Sequence, residues 1–287
     1  MNNPLGIHAL VFAGGTTTDE VDTITSGAHR AGYDIIEFSL HGLADLDTTA
    51  TRAMLEDRGL TAICSRGLAP DADVSSDDLA VVQRGAELLH ESLQATAAIG
   101  GIRLTGALYS AFGKAAAPLT GAGRRNVIAV LKDLAVEARR LDVVLGLEVC
   151  NRYETNVVNT AGEALRLADE IGEDNVDVHL DIYHMNIEEK NFRDPVLLLG
   201  DRLGYVHVGE NDRGYLGSGH LDFDAFFDAL REVDYRGGIT FESFSSAVVS
   251  PTLSNDLSIW RNLWTDSDDL AAAAHRFLAE RLARVPA

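Results

Sequence analysis

The chain has 287 residues, 46% of them hydrophobic, and carries 44 acidic against 24 basic side chains, a formal net charge of −20. That length suits one large domain with a substantial core. The acidity argues against nucleic acid, whose binding needs a basic footprint, and against anionic membrane surfaces. Cys64 and Cys150 form no C-x-x-C pattern and sit in or beside apolar segments, so reduced, buried thiols and a cytoplasmic location are expected. No basic segment followed by an apolar run opens the chain, and no run of about 18 apolar residues occurs, so a soluble, non-exported protein is expected.

Short β-branched or aliphatic runs alternate with longer helical patterns throughout. In chain order the pattern predicts strand Ile7–Phe12 and helix Asp19–Arg30, strand Ile35–Leu40 and helix Asp45–Arg58, strand Leu60–Cys64 and helix Ser76–Ala98. Strand Ile102–Leu108 and helix Gly123–Arg140 follow, then strand Val143–Val149 and helix Thr160–Ile171, and strand Val176–Asp181 and helix Asp194–Arg202. Strand Tyr205–Val208, helix Asp222–Val233, strand Ile239–Glu242 and helix Asp266–Ala283 complete the series. Glycine marks the helix-to-strand joints, where a left-handed residue ends the helix, and Asp, Thr or Ser opens the helices, as N-caps should. Alternation repeated eight times without a composition break predicts a single (β/α)8 barrel over residues 1–287. Segment 250–287 is an extension packing on the barrel or on a partner subunit, with Trp260 and Trp264 as its anchors. No G-x-G-x-x-G follows the first strand, which disfavours a dinucleotide fold. Two connections are long, Arg66–Asp78 and Tyr109–Ala122, and both are expected on the mouth side as lids or pocket walls, with Tyr109 and Phe112 in the second.

Four metal-ligand-type side chains stand at the ends of four successive predicted strands: Glu148 in LGLEV, Asp181 in DVHLD, His207 in GYVHV and Glu242 in GITFE. Their gaps of 33, 26 and 35 residues are each about one strand–helix unit, and consecutive strand ends of such a barrel surround one point at its C-terminal mouth. Each is flanked by apolar residues, so a solvated position fits poorly, and unpaired buried carboxylates would be costly. One divalent cation answers for all four. Hard oxygens with a single imidazole suit Mn²⁺, Co²⁺ or Mg²⁺ better than a structural zinc site. Three carboxylates and a neutral histidine around such an ion leave one net negative charge, which favours a neutral polyol over a phosphate ester. Further polar residues follow on the same rim: Arg152 and Glu154, then His184, then Glu210, Asp212 and Arg213. There they would orient hydroxyls or polarise a carbonyl.

At these residues the chain resembles the ketose 3-epimerase family (D-tagatose, D-allulose and L-ribulose 3-epimerases) among the xylose-isomerase-like TIM barrels. The segments that carry the resemblance are LEVCNRYETNVVNTAGEAL, LDIYHMNIEEKNFRD, YVHVGENDRGYLGSGHLDF and ITFESFS. It implies that Glu148, Asp181, His207 and Glu242 hold one divalent ion per subunit (Mn²⁺, alternatively Co²⁺ or Mg²⁺), with Glu148 and Glu242 also the acid/base pair. It implies that Glu154, His184 and Arg213 hold substrate oxygens, and that His8 in GIHAL is a pocket histidine. The implied reaction is reversible inversion of C3 of a free ketohexose or ketopentose through a cis-enediolate, in a homodimer or homotetramer.

Some positions depart from the family pattern. Phe12 and Phe112 stand where many relatives have tryptophan, and Arg66 in CSRGL where the residue is usually small or apolar. These positions are expected at the far end of the sugar pocket, so recognition of C4–C6 departs with them. Arg66 is read either as a contact to an anionic tail or as a salt bridge to Asp71 or Asp73. The alternatives on the same fold are a 1,2-aldose–ketose isomerase, which uses a second metal and further carboxylates, and an inosose-type dehydratase. A metal-dependent abasic-site nuclease needs more histidines and a basic face, and a sugar-binding protein without catalysis has no need of both glutamates.

Overall fold

The computed structural model describes residues 1–284, in which eight parallel strands pair in sequence order and close into a barrel. The strands are β1 (Leu5–His8), β2 (Ile35–Ser39), β3 (Thr61–Ser65), β4 (Arg103–Thr105), β5 (Val144–Glu148), β6 (Val176–Asp181), β7 (Leu203–Val208) and β8 (Gly238–Phe241). The helices are α1 (Thr18–Ala31), α2 (Thr48–Arg58), α3 (Leu79–Ala98), α4 (Gly121–Arg140), α5 (Ala161–Ile171), α6 (Ile182–Glu188), α7 (Asp194–Leu199), α8 (Phe223–Glu232), α9 (Pro251–Asp256) and α10 (Ser267–Ala283).

Local chemistry sets the helix ends. Thr17 with Glu20, and Thr160 with Glu163, form capping boxes that satisfy N-terminal N–H groups of α1 and α5. Asp47 and Asp78 cap α2 and α3, which therefore start a few residues later than the hydrophobic pattern suggested. The main core lies between the helices and the outward faces of the strands. Ala161, Ala164, Leu167, Ala168 and Ile171 of α5 form one buried stripe at helical spacing.

Inside the barrel the chemistry is different. Glu37, Thr105, His179, Tyr205 and Thr240 are all essentially buried, and Ile35, Ile63 and Tyr205 form a small apolar cluster separate from the main core. Polar side chains cross the interior because Gly6 and Gly146 leave room for them: a Cβ at either position would collide with Thr240 or Thr105.

Other elements depart from the sequence expectation, among them α9, which the hydrophobic pattern did not predict. β1 stops at His8 because the His8 ring accepts the Leu10 N–H and a 3₁₀ turn, Ala9–Val11, begins there. Phe12 is thereby turned against Gly27 of α1 and stays out of the mouth cavity, which corrects its placement at the far end of the sugar pocket. β4 is only three residues long, ended by Gly106 at φ 111°. Helix α6 was not anticipated, since its N-cap is Asp181, the last residue of β6. In the fourth connection Tyr109 is fully buried and its hydroxyl donates to the Glu148 carbonyl, so it braces β5 and is no lid. Both cysteines are free and buried.

The C-terminal segment returns to the barrel: Tyr33, between α1 and β2, donates to the Ala271 carbonyl of α10 at 2.9 Å, and buried Trp264 donates to Ser243 Oγ at 2.7 Å. Trp260 is 71% exposed. Positions 285–287 of the expected extension lie outside the described residues.

Candidate active site

Strands β5 to β8 deliver side chains to one point at the mouth. Asp181 lies beside His207 in the β6–β7 register, and Glu242, just past β8, continues the ladder through its N–H to the Val208 carbonyl. His207 Nδ1 is 3.7 Å from Glu148 Oε1 and 3.5 Å from Glu242 Oε2. Ligand atoms of Asp181, His207 and Glu242 lie within 4.8 Å of one another. All four residues are buried.

The donors fit a cation. Asp181 Oδ1 caps α6 by accepting the Tyr183 N–H at 2.8 Å, whereas Asp181 Oδ2 and His207 Nδ1 are buried with no hydrogen-bond partner among the described residues. Orphaned buried acceptors are costly, and a divalent ion among carboxylate oxygens and one imidazole satisfies them. Burial pushes Glu148 well above the usual carboxylate range and Asp181 up to about 6; a bound cation favours the ionised form of both. Glu242 goes the other way. Burial opposes its ionisation, but Arg213 and His207 outweigh it and hold it well below the usual range.

A buried carboxylate that the sequence reading missed orients the imidazole. Glu37 of β2 accepts from His207 Nε2 at 2.6 Å and from the Tyr205 hydroxyl at 2.7 Å. That geometry assigns the His207 proton to Nε2 and leaves the Nδ1 lone pair facing the carboxylates, the arrangement in which an outer carboxylate fixes a ligand's tautomer. Its sequence signal was a lone acid inside the apolar strand IIEFS. His8 works from the same layer: its Nδ1 accepts the Leu10 N–H at 3.3 Å, and its Nε2 lies 3.6 Å from Glu37 and 4.0 Å from Glu242.

Helix α6 brings His184 to the site one turn after Asp181. The backbone N–H of Asn151 donates to His184 Nδ1 at 3.3 Å, and its side-chain amide lies 2.8 Å from the same nitrogen. The neutral ring therefore presents Nε2–H to the site, 3.7 Å from Glu148, 3.7 Å from Glu154 and 3.6 Å from Asp181. Burial keeps the ring neutral, its pKa lowered to about 4. The Asn151 amide also donates to Glu154 at 2.8 Å, so one residue orients two. Arg213 bonds Glu242 at 2.5 Å, lies 3.4 Å from Asp181 Oδ2 and stacks 3.9 Å from the Tyr183 ring centroid. Its φ of 62° is unusual for a non-glycine residue, and such strain concentrates at functional sites.

A cavity of about 290 Å³ opens over these groups, lined among others by His8, Arg66, Phe112, Glu154, Tyr183 and Phe244. The remaining rim residues have other partners. Arg152 clasps Glu188 of α6 with bonds of 2.9 and 2.6 Å. Glu210 is buried and accepts the Gly217 N–H at 2.8 Å. Asp212 lines the cavity and accepts the Gly214 N–H.

Residues 27–281 match the family described as xylose isomerase-like TIM barrel. The chain is 48% identical over 276 residues to an L-ribulose 3-epimerase of Methylomonas sp. (strain DH-1), covering 96% of each chain. It is 43% identical over 281 residues to a ketose 3-epimerase of Arthrobacter globiformis, covering 98% of this chain and 97% of that one. The fold superposes with a TM-score of 0.95 on the crystal structure of a Methylomonas sp. D-allulose 3-epimerase in complex with D-allulose, at 47% identity and 97% coverage of both chains.

Proposed function

The chain belongs to the xylose isomerase-like TIM barrel family, and on that premise we propose that it is a metal-dependent ketose 3-epimerase, an isomerase that inverts C3 of a free ketohexose or ketopentose. A divalent cation held by Glu148, Asp181, His207 and Glu242 would supply Lewis-acid polarisation of the C2 carbonyl, which acidifies the C3 hydrogen. Glu154, His184 and Arg213 hold the oxygens at the C1–C3 end and keep the reacting carbon between the two glutamates. One glutamate removes the C3 proton, and the other returns a proton to the opposite face of the planar cis-enediolate. The roles exchange with the direction of reaction, so neither carboxylate is permanently acid or base.

One observation carries this reading. Glu148 and Glu242 come from strands on either side of β7 and approach the same His207 Nδ1 at 3.7 and 3.5 Å, which suits a pair working on two faces of one carbon. Arg213 lies against Glu242, whereas the polar neighbours of Glu148 are His184 and His207 at 3.7 Å, so the two carboxyls stand in different surroundings. Manganese is the ion of first choice, with Co²⁺ or Mg²⁺ as substitutes, in a cytoplasmic homodimer or homotetramer.

The test is to strip the protein with EDTA, restore each ion in turn, and incubate with D-fructose, D-tagatose and L-ribulose in D₂O. Expected products are the 3-epimeric ketoses with solvent deuterium at C3, formed only with ion present. An aldose product would establish the 1,2-isomerase instead, and full retention of the C3 hydrogen during turnover would eliminate the two-base scheme.

A further inference from the structure

A guanidinium in a protein interior is normally paired. Elsewhere in this chain half-buried Arg103 pairs with Asp177 and Arg213 with Glu242. Arg66 breaks that habit. Its backbone is fixed between β3 and β4 by its N–H to the Thr105 carbonyl at 2.9 Å. Its guanidinium reaches across to the end of β2, where Nη1 donates to the Leu40 carbonyl. Among the described residues no carboxylate, neither Asp71 nor Asp73, forms an ion pair with it, and its Nε is buried without a partner. Asp73 instead accepts the N–H and hydroxyl of Ser75. A half-buried cation with one neutral acceptor is poorly compensated by the fold, and it stands on the wall of the substrate cavity.

Its neighbours on that wall are polar as well. Ser39 and His41 are hydrogen-bonded to each other, and Ser65 Oγ lies 3.5 Å from His8 Nε2. His8 Nε2 is in turn 4.0 Å from Glu242 Oε1, so the wall begins where the reacting end of the cavity stops. Other parts of the cavity, Leu10, Phe112 and Phe244, are apolar. A three-carbon sugar tail has this same division, oxygens and C–H surface.

We propose that Arg66, with Ser65 and the Ser39–His41 pair, forms a subsite for the oxygens on C5 and C6 of a neutral ketohexose, and that it makes this chain selective for hexoses over pentoses. The inference rests on the ketose reading above. Hydroxyl side chains, which both donate and accept, match alcohols better than an anion, and the guanidinium adds donors to the same oxygens.

The experiment measures kcat/KM of the Mn²⁺-loaded wild type and Arg66→Met on D-allulose, 6-deoxy-D-allulose and D-ribulose, which share configuration at C3 and C4. The wild type is expected to prefer D-allulose over either truncated sugar by about tenfold to a hundredfold, the value of a hydrogen bond from a charged donor. In Arg66→Met that preference collapses towards unity. Equal preference in both proteins, or an equal loss on all three sugars in the variant, overturns the inference and leaves the epimerase reading standing. Faster turnover of D-allulose 6-phosphate than of D-allulose overturns it too, by assigning Arg66 to an anionic tail. If the wild type epimerises none of these sugars, nor L-ribulose, the epimerase reading fails and the inference falls with it.

Discussion

Two clusters of charge, one half-buried and one buried, share one barrel and obey opposite rules. Towards the N-terminal ends of the strands, Arg103 and Asp177 meet through two parallel bonds of 2.5 and 2.8 Å, and Arg103 adds the Gly204 carbonyl at 3.3 Å. No polar atom of either side chain is left buried and unpartnered. At the C-terminal mouth, Glu148, Asp181 and Glu242 crowd around His207, and Asp181 Oδ2 and His207 Nδ1 have no hydrogen-bond partner among the described residues, although Arg213 lies 3.4 Å from the first. The closed cluster joins β4 to β6 and β7. The open cluster costs stability and keeps its valences for a ligand, so open valence in a buried site is what separates function from scaffolding here.

Substitutions at the two clusters should therefore separate activity from stability. Glu148→Gln or Glu242→Gln is expected to lower kcat by at least about 10²–10⁴-fold, with metal content measured on the same samples to tell proton transfer from ion loss, while the urea midpoint of Glu148→Gln, which breaks no arginine pair, changes little. A midpoint collapse in both variants would erase the contrast between the clusters. Asp177→Asn leaves half-buried Arg103 beside a neutral amide and is expected to cost about 2 kcal/mol in urea unfolding, with kcat of the folded fraction preserved. Glu37→Gln sharpens the comparison from below. It keeps the shape but weakens the acceptor of the His207 proton, and calorimetric titration with Mn²⁺ should show about 10–100-fold weaker binding. Smallest is Asn151→Ala, which frees His184 and Glu154 together; kcat/KM should fall about tenfold, and unchanged kinetics would reduce Asn151 to a packing residue.

The mouth was more legible in the sequence than the interior beneath it. Glu148, Asp181, His207 and Glu242 stand out because a charged or imidazole side chain at the end of an apolar strand is a local anomaly, and four such anomalies at one strand–helix spacing reinforce one another. His184 could be found as a polar residue nearby, but its orientation could not, because α6 begins on a ligand and shows no separate cap. Phe12 was misplaced for a similar reason. Hydrophobic pattern carried β1 to residue 12, whereas the turn that ends it depends on the His8 ring.

Periodicity, caps and glycine joints are properties of neighbouring residues, and they determined the eightfold barrel and the identity of the ligand-type side chains before any coordinates. What only the tertiary structure decided is which nitrogen or oxygen each of those side chains presents. Glu37 and His207 are 170 residues apart, and nothing local to either says that one holds the other's proton. The same holds for Arg66: its type is plain from the chain, but that no carboxylate among the described residues forms an ion pair with it, Glu91 acting on it only through space, is settled only once β2, β3 and β4 are brought side by side.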